Sequence, residues 1–282
     1  MEKSICFSKM EAAGNDYIYI YASQYPVTDP VTTAIQWSNR HSGIGSDGLV
    51  LIEKSMDGDA DFSMRIFNAD GSEARMCGNA ACCVGRYVYE KGLTNHTIVR
   101  LSTRSGIKIL RLEVTEGHVQ KVSVDMQEPS LDVPELFRPP SSGMLHADGK
   151  SFKGTFVSMG NPHFVVMTDN IELIDLSRDG RLLSIHEAFP EGCNIEFVEY
   201  LGNNEVRMRV WERGSGITMA CGTGACAVAV ASVMHRRTGR TVRIHADGGC
   251  MEVEWRAADN HLLLTSPARF VFEGTAFLLN EK

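Results

Sequence analysis

Short runs of β-type residues recur along this chain, at 17–21, 48–53 and 62–67 and again at 154–157, 164–167, 195–200 and 206–211. Each series runs through a Gly-rich turn into one helical stretch, 78–90 in the first and 222–236 in the second. More strand-like runs follow each helix, at 98–103, 107–114 and 119–125, and at 242–246, 251–255 and 261–265. Runs of this kind between turn signals predict strands. The second helical stretch is apolar nearly all round, and the first carries little polar surface before Arg86. A helix of that kind is buried on most sides. Gly92 and Gly239 stand where the two helices would be capped, and Lys91 and Arg236 with Arg237 suit a last turn. One buried helix wrapped by many short, largely antiparallel strands, twice over, predicts an α+β fold rather than a βαβ series.

The two halves also repeat in sequence, which is the mark of a duplicated unit. Met64-Arg65-Ile66-Phe67 returns as Met208-Arg209-Val210-Trp211, and Cys77-Gly78 as Cys221-Gly222, each 144 residues later. Cys82 and Cys226 keep the same spacing. Gly14-Asn15 matches Gly160-Asn161 at 146, and Val99-Arg100-Leu101 with Gly106 matches Val242-Arg243-Ile244 with Gly249 at 143. Between the copies, 127–143 holds four of the nine prolines, Pro129, Pro134, Pro139 and Pro140. Proline disfavours a central strand or helix, so this stretch is a linker or a crossover.

Composition narrows the functions that remain open. At 282 residues and 43% apolar, the chain is long enough for two domains. The net charge of −7, with Lys and Arg scattered, provides no basic surface for nucleic acid. Met1 to Met10 lacks the apolar stretch of a signal peptide, and 225–234 is too short to span a bilayer. A cytoplasmic protein that uses no membrane is the expectation. The eight cysteines, Cys6, Cys77, Cys82, Cys83, Cys193, Cys221, Cys226 and Cys250, then read as thiols. None forms a Cys-x2-Cys pair, which argues against a structural zinc or other metal site.

The chemistry concentrates at the two helix starts. The first turn of a helix presents unpaired N–H groups and the positive end of the dipole, an anion site. A cysteine there has its thiolate favoured and its pKa lowered toward neutrality. Two such starts related by a pseudo-twofold, Cys77-Gly78-Asn79 and Cys221-Gly222-Thr223, would offer two thiols and two sets of donors to one carboxylate. That suits inversion of a stereocentre: one sulfur removes the α-proton and the other donates to the opposite face, while the N–H groups hold the developing charge. Cys82, Cys83 and Cys226, inside the helices, read as packing. Asn15, Asn68, Asn161 and Asn194 adjoin turn-type sequence, where asparagine serves the turn or a ligand. Arg213, beside Glu212, could hold a carboxylate bidentately or form a surface ion pair. His163 is either structural or a charge that tunes a thiol.

At these residues the chain resembles diaminopimelate epimerase. The matching stretches are Lys9-Met10 through Gly14-Asn15-Asp16, Asn39-Arg40 through Gly43-Ile44-Gly45, Phe67-Asn68-Ala69-Asp70-Gly71-Ser72, Met76-Cys77-Gly78-Asn79, Gly160-Asn161-Pro162-His163, Glu212-Arg213-Gly214 and Ala220-Cys221-Gly222-Thr223-Gly224-Ala225-Cys226. The resemblance implies cofactor-independent interconversion of LL- and meso-diaminopimelate, in the route to lysine and peptidoglycan. It implies two pseudo-symmetric lobes with the active site between them, and a homodimer. It implies that the last strand returns to the first lobe, giving residues 1–122 with 269–282 and residues 123–268. By position, Cys77 and Cys221 would be the acid/base pair, and Gly78, Asn79, Gly222 and Thr223 the cradle of the reacting carboxylate. Asn15, Asn68, Asn161, Asn194, Glu212 and Arg213 would contact substrate, with His163 and Glu212 tuning the thiols.

The chain departs from the family pattern in three places. Ala80, Ala81 and Cys82 replace the usual Gly-x-Arg, Ile217 stands where Glu is usual before Thr218, and Gly48 stands where some relatives carry a ligand Gln. Proline and hydroxyproline racemases share the two-cysteine logic but have His after the first Cys-Gly, where this chain has Asn79. The isomerases related to phenazine biosynthesis lack the cysteine pair. A non-catalytic amino-acid binding module would leave two matched cysteines at helix starts without a purpose.

Overall fold

The computed structural model describes residues 4–56 and 58–277. Contacts divide the chain into two units, one running to Val124 and resuming at Ser266, the other from Asp125 to Thr265. In the first unit, β1 (Ser4–Ala12), β2 (Asn15–Tyr21), α1 (Pro30–Ser38), β3 (Gly48–Lys54), β4 (Phe62–Asn68) and β5 (Glu73–Ala74) precede α2 (Gly78–Glu90). Then come β6 (Ile98–Thr103), β7 (Gly106–Thr115) and β8 (His118–Asp125), and the terminal strand Ala268–Phe277 pairs antiparallel with β1. The second unit holds a small hairpin of β9 (Leu145–Ala147) and β10 (Lys150–Phe152). It continues with β11 (Gly154–Ser158), β12 (Pro162–Thr168), the one-turn α3 (Arg181–Ser184), β13 (Asn194–Gly202), β14 (Glu205–Glu212) and β15 (Gly216–Thr218). After these follow α4 (Gly222–Met234), β16 (Thr241–Ala246), β17 (Gly249–Trp255) and β18 (Leu262–Ser266).

The duplication seen in sequence is a duplication of pairing. In the first unit β1–β2 is antiparallel, β2–β3 parallel, β3–β4 antiparallel and β4–β6 parallel, followed by the antiparallel pairs β6–β7 and β7–β8. In the second, β11–β12, β12–β13, β13–β14, β14–β16, β16–β17 and β17–β18 follow the same order of directions. The registers agree as well: Tyr17 faces Gly48 where His163 faces Asn194. The fold is the expected α+β arrangement, with parallel pairs set among antiparallel ones.

Both long helices are buried within their own units. In α2 the residues Gly78 to Gly85 are all buried, and a Cβ on Gly85 would come within 3.0 Å of Val122, so the helix lies close on its strands. In α4 the apolar run packs against β11, β12, β13, β16 and β17. Burial on all faces explains why its sequence shows no helical polar stripe.

The pattern missed β1, α1 and the terminal strand, as well as the short elements β5, β9, β10, α3 and β15. Helix α1 is opened by Asp29, whose carboxylate accepts from Thr32 N–H, and by Pro30 at its first position. It packs Ala34 and Trp37 onto Ile18, Leu49 and Phe67. The proline-rich segment is irregular as expected, but it is held: Phe137 stacks on Phe156 and Phe189 at centroid distances of 4.9 and 5.2 Å.

One capping expectation fails. Gly92 does take the left-handed conformation after α2, with φ +68°, but the matching position after α4 is Arg236, with φ +55°, and not Gly239. Arg236 and Arg237 N–H groups close on Val233 and Ser232 carbonyls, as Gly92 and Leu93 close on Tyr89 and Val88. The repeated hydrogen bonds impose the left-handed turn on a non-glycine residue, at about 1–2 kcal/mol.

Gly48 is required by its partner strand. A Cβ there would lie 2.1 Å from the Phe67 carbonyl oxygen, a backbone atom that cannot move without parting β3 from β4. Gly48→Ala is expected to destabilise the protein by about 1–3 kcal/mol, read as a lower denaturant midpoint; an unchanged midpoint would show that the two strands part freely.

Candidate active site

Both conserved-spacing cysteines are helix N-caps. Cys77 has φ −139° and ψ 121°, and its sulfur accepts from Ala80 N–H at 3.5 Å. Cys221 has φ −131° and ψ 117°, and its sulfur accepts from Gly224 N–H at 3.4 Å. The sulfur takes the place that Ser or Asp oxygen fills in an ordinary cap, satisfying one orphan donor of the first turn. The two units thus build the same local device.

Around Cys77 the first unit gathers Asn15, whose Oδ1 accepts from the thiol at 3.3 Å. Asn15 Nδ2 donates to Asp47 at 2.7 Å. Asn79 is buried in the first turn of α2, and both ends of its amide lack a hydrogen-bond partner among the described residues. Such a group is costly to bury without a partner. Asn68 is placed differently: its Nδ2 donates to Ser72 Oγ at 3.0 Å, at the end of β4. Behind Asn15 lies a charge cluster in which buried Lys9 pairs with Asp16 at 2.5 Å and Arg40 bridges Asp16 and Asp47. Burial pulls the Asp16 carboxyl upward, but Arg40 and Lys9 outweigh it and hold it below the usual range. Asp47 goes the other way, raised by burial and by Asp16.

Around Cys221 the second unit gathers more titratable groups. Thr223 Oγ1 lies 3.4 Å from the sulfur. Asn161 Nδ2 donates to Thr223 Oγ1 at 3.3 Å, and its Oδ1 faces His163 Nε2 at 3.2 Å. The imidazole, fully buried, meets Glu196 Oε1 through Nδ1 at 2.7 Å. Glu212 accepts from Thr218, and burial raises its carboxyl against the opposing pull of Thr218, His163 and the Cys221 thiol. Asn194 and Arg213 form an adjacent pair: Asn194 Oδ1 accepts from Arg213 N–H at 2.9 Å, and its Nδ2 donates to the Pro162 carbonyl. The Arg213 guanidinium donates to the Glu191 carbonyl and borders an open cavity of about 470 Å³ whose lining does not include Cys221.

Asp47, beside Asn15, escaped the reading of the sequence, and so did two residues near Cys221. Glu196 is a fully buried carboxylate whose Oε2 has no partner among the described residues, and a Cβ on Gly224 would approach its Oε1 to 2.7 Å. It sits in the apolar run of β13, and only its charge in such a run could have signalled it. Thr218 holds Glu212, and its signal was the retained Thr after Ile217.

The expected lowering of thiol pKa does not hold for Cys221. Burial, then Glu212 and Glu196, push it well above the ordinary value, and Thr223 and the Gly224 N–H recover only part. Its side chain is within a residue only 8% exposed. The helix terminus contributes a fraction of a charge, and loss of hydration beside two carboxylates is larger. Among the described residues, no group of three or more His, Cys, Asp or Glu side chains is arranged to hold a metal.

Solved structures share this fold at low sequence identity. A hydroxyproline epimerase from Agrobacterium vitis, with bound trans-4-OH-L-proline, matches with a TM-score of 0.72 and 17% identity, over 99% of this chain and 94% of that one. A phenazine biosynthesis protein of the PhzF family from Bacillus anthracis matches with 0.73 and 16%, over 98% and 100%. The duplicated α+β fold is therefore the one these structures share. A family model for diaminopimelate epimerase matches residues 7–131 and 155–271. Diaminopimelate epimerases of Phocaeicola vulgatus and Methanococcus maripaludis are 54% and 47% identical, over 97% and 95% of this chain and 99% and 98% of theirs. The chain belongs to the diaminopimelate epimerase family.

Removing the carboxylate beside Cys221 removes a like charge from its thiolate. In Glu212→Gln, alkylation of Cys221 by iodoacetamide at fixed pH, followed by peptide mass, is expected to rise about five- to tenfold. No rise would mean that burial and Glu196 set this thiol without Glu212.

Proposed function

We propose that this chain interconverts LL- and meso-diaminopimelate, a step of lysine biosynthesis, without a cofactor and with Cys77 and Cys221 as the acid/base pair. The observation that carries the reading is the identity of the two cysteine turns: the same backbone angles, and the same sulfur bond to the third residue of the helix. Family membership supplies the substrate, since the curated relatives bear that name over nearly their whole length.

The chemistry follows from these parts. One cysteine, as thiolate, takes the α-proton, and the electron pair left on carbon delocalises into the carboxylate. The other, as thiol, gives its proton to the opposite face, so the pair ends with its protonation exchanged. First-turn N–H groups at Gly78, Asn79, Gly222 and Thr223 are the donors for the carboxylate, whose charge grows in the transition state. Cys221 rests as the thiol, and Glu212 is placed to take its proton when the thiolate is needed. The raised carboxyl of Glu212 narrows the gap that this transfer must cross. Asn161, Asn194, Arg213, Asn15 and Asn68 supply polar contacts for the rest of a diamino-dicarboxylate.

The protein would act in the cytoplasm, as a homodimer. No helix among the described residues is long and apolar enough to cross a membrane. Val271 and Phe272 on the terminal strand are 55% and 45% exposed, an apolar surface suited to a second copy.

The test is α-hydrogen exchange from D2O into LL-diaminopimelate under reducing conditions. Wild type is expected to exchange and invert, and Cys77→Ala and Cys221→Ala each to lose inversion by about 10³-fold or more. Exchange with proline or 4-hydroxyproline instead would move the substrate, and no exchange with any of them would sink the two-thiol mechanism.

A further inference from the structure

Asn15 and Asp47 form a pair whose geometry has a chemical consequence for Cys77. An ionised carboxylate only accepts hydrogen bonds, so the amide must turn its N–H end toward Asp47, and Nδ2 stands 2.7 Å from Asp47 Oδ2. The other end of the amide, Oδ1, then faces Cys77 Sγ at 3.3 Å. A carbonyl oxygen there accepts from S–H and is repelled by S⁻. Turned the other way, the same side chain would donate to the thiolate and favour it.

Asp47 is itself held in place. Its carboxylate accepts from Asp16 N–H at 3.0 Å and pairs with Arg40 at 3.0 Å. Its backbone N–H donates to the Asp16 carbonyl, and its carbonyl accepts from Ala69 N–H. The Cys77 sulfur also accepts from the Ala80 N–H, at 3.5 Å. Tyr19 on β2 and Cys83 on α2 are kept neutral, Tyr19 pushed well up by burial and Cys83 to about 12. Lys9 and Arg40 are engaged by Asp16 and Asp47, and Glu11 on β1 pairs with Arg269. In the second unit the counterpart, Asn161, turns its carbonyl to His163 and its N–H end to Thr223, so that Cys221 meets a hydroxyl and a carboxylate instead.

We propose that Asp47 is a positioning residue: by pinning the Asn15 amide with its carbonyl oxygen toward Cys77, it holds Cys77 as the thiol, the proton-donating form. The inference rests on Cys77 being one of the two reacting thiols.

The experiment measures iodoacetamide alkylation of Cys77 at pH 7.5 by peptide mass, with Cys221 as internal reference and no substrate added. In Asp47→Asn the partner can donate as well as accept, so the Asn15 amide is free to turn. Cys77 is expected to react about five- to tenfold faster, the change that roughly one pKa unit produces, with Cys221 unmoved. Loss of a distant negative charge could act in the same direction, so the variant is repeated with Asn15→Ala. There the effect of Asp47→Asn is expected to shrink below about twofold. An unchanged or slower Cys77, or an increase that survives Asn15→Ala, overturns the proposal. Should Asp47→Asn raise both cysteines together through loss of structure, Asp47→Ser is read by the same two criteria. Because no diaminopimelate is used, a failed substrate assignment leaves this result standing, and a failed result here leaves the exchange experiment standing.

Discussion

Everything at this site depends on a sulfur atom standing where a helix needs an acceptor. The first turn of a helix has N–H groups with no partner in the helix, and Cys77 and Cys221 each satisfy one of them. The cap fixes the sulfur's position to the helix frame, and the helix is fixed by burial among its strands. A reactive group on an ordinary loop would lack that constraint. Under the proposed function the remaining first-turn donors would form the oxyanion-type cradle, so the same few residues would both position the sulfur and hold the carboxylate.

The two thiols share a cap but not an environment. Cys77 faces an amide oxygen backed by an ion-pair cluster; Cys221 is enclosed by Glu212, Thr223 and the Glu196–His163 pair. The duplicated framework supplies matched positions, and the unmatched side chains give the two thiols different surroundings. Divergence after duplication is visible in single positions: His163 stands opposite Tyr17 in the repeat, and Asn194 opposite Gly48.

Buried charge has a price in stability, and this fold carries several such groups. Glu196 with His163, and Lys9 with Asp16, are held inside by short contacts with each other. Such pairs cost desolvation that their attraction does not always repay. The Glu196–His163 pair lies directly behind Asn161, whose carbonyl end faces the imidazole.

The sequence by itself determined the duplication, the two buried helices, most strands and the cysteine turns, because each depends on local pattern: β-type runs, apolar helical faces and a Cys-Gly step at a helix start. It could not show the pairing of β1 with the terminal strand, whose residues lie about 260 positions apart, nor the short helix α1, nor that Arg236 rather than Gly239 takes the left-handed turn. It also mistook the state of Cys221. A helix terminus is a local feature and argues for a thiolate, whereas burial and the approach of Glu212 and Glu196 exist only once β13, β14 and α4 are packed together. The cysteine turns were therefore written locally, and the protonation of Cys221 was decided by the tertiary structure, because solvation and charge proximity depend on distances that sequence order does not contain.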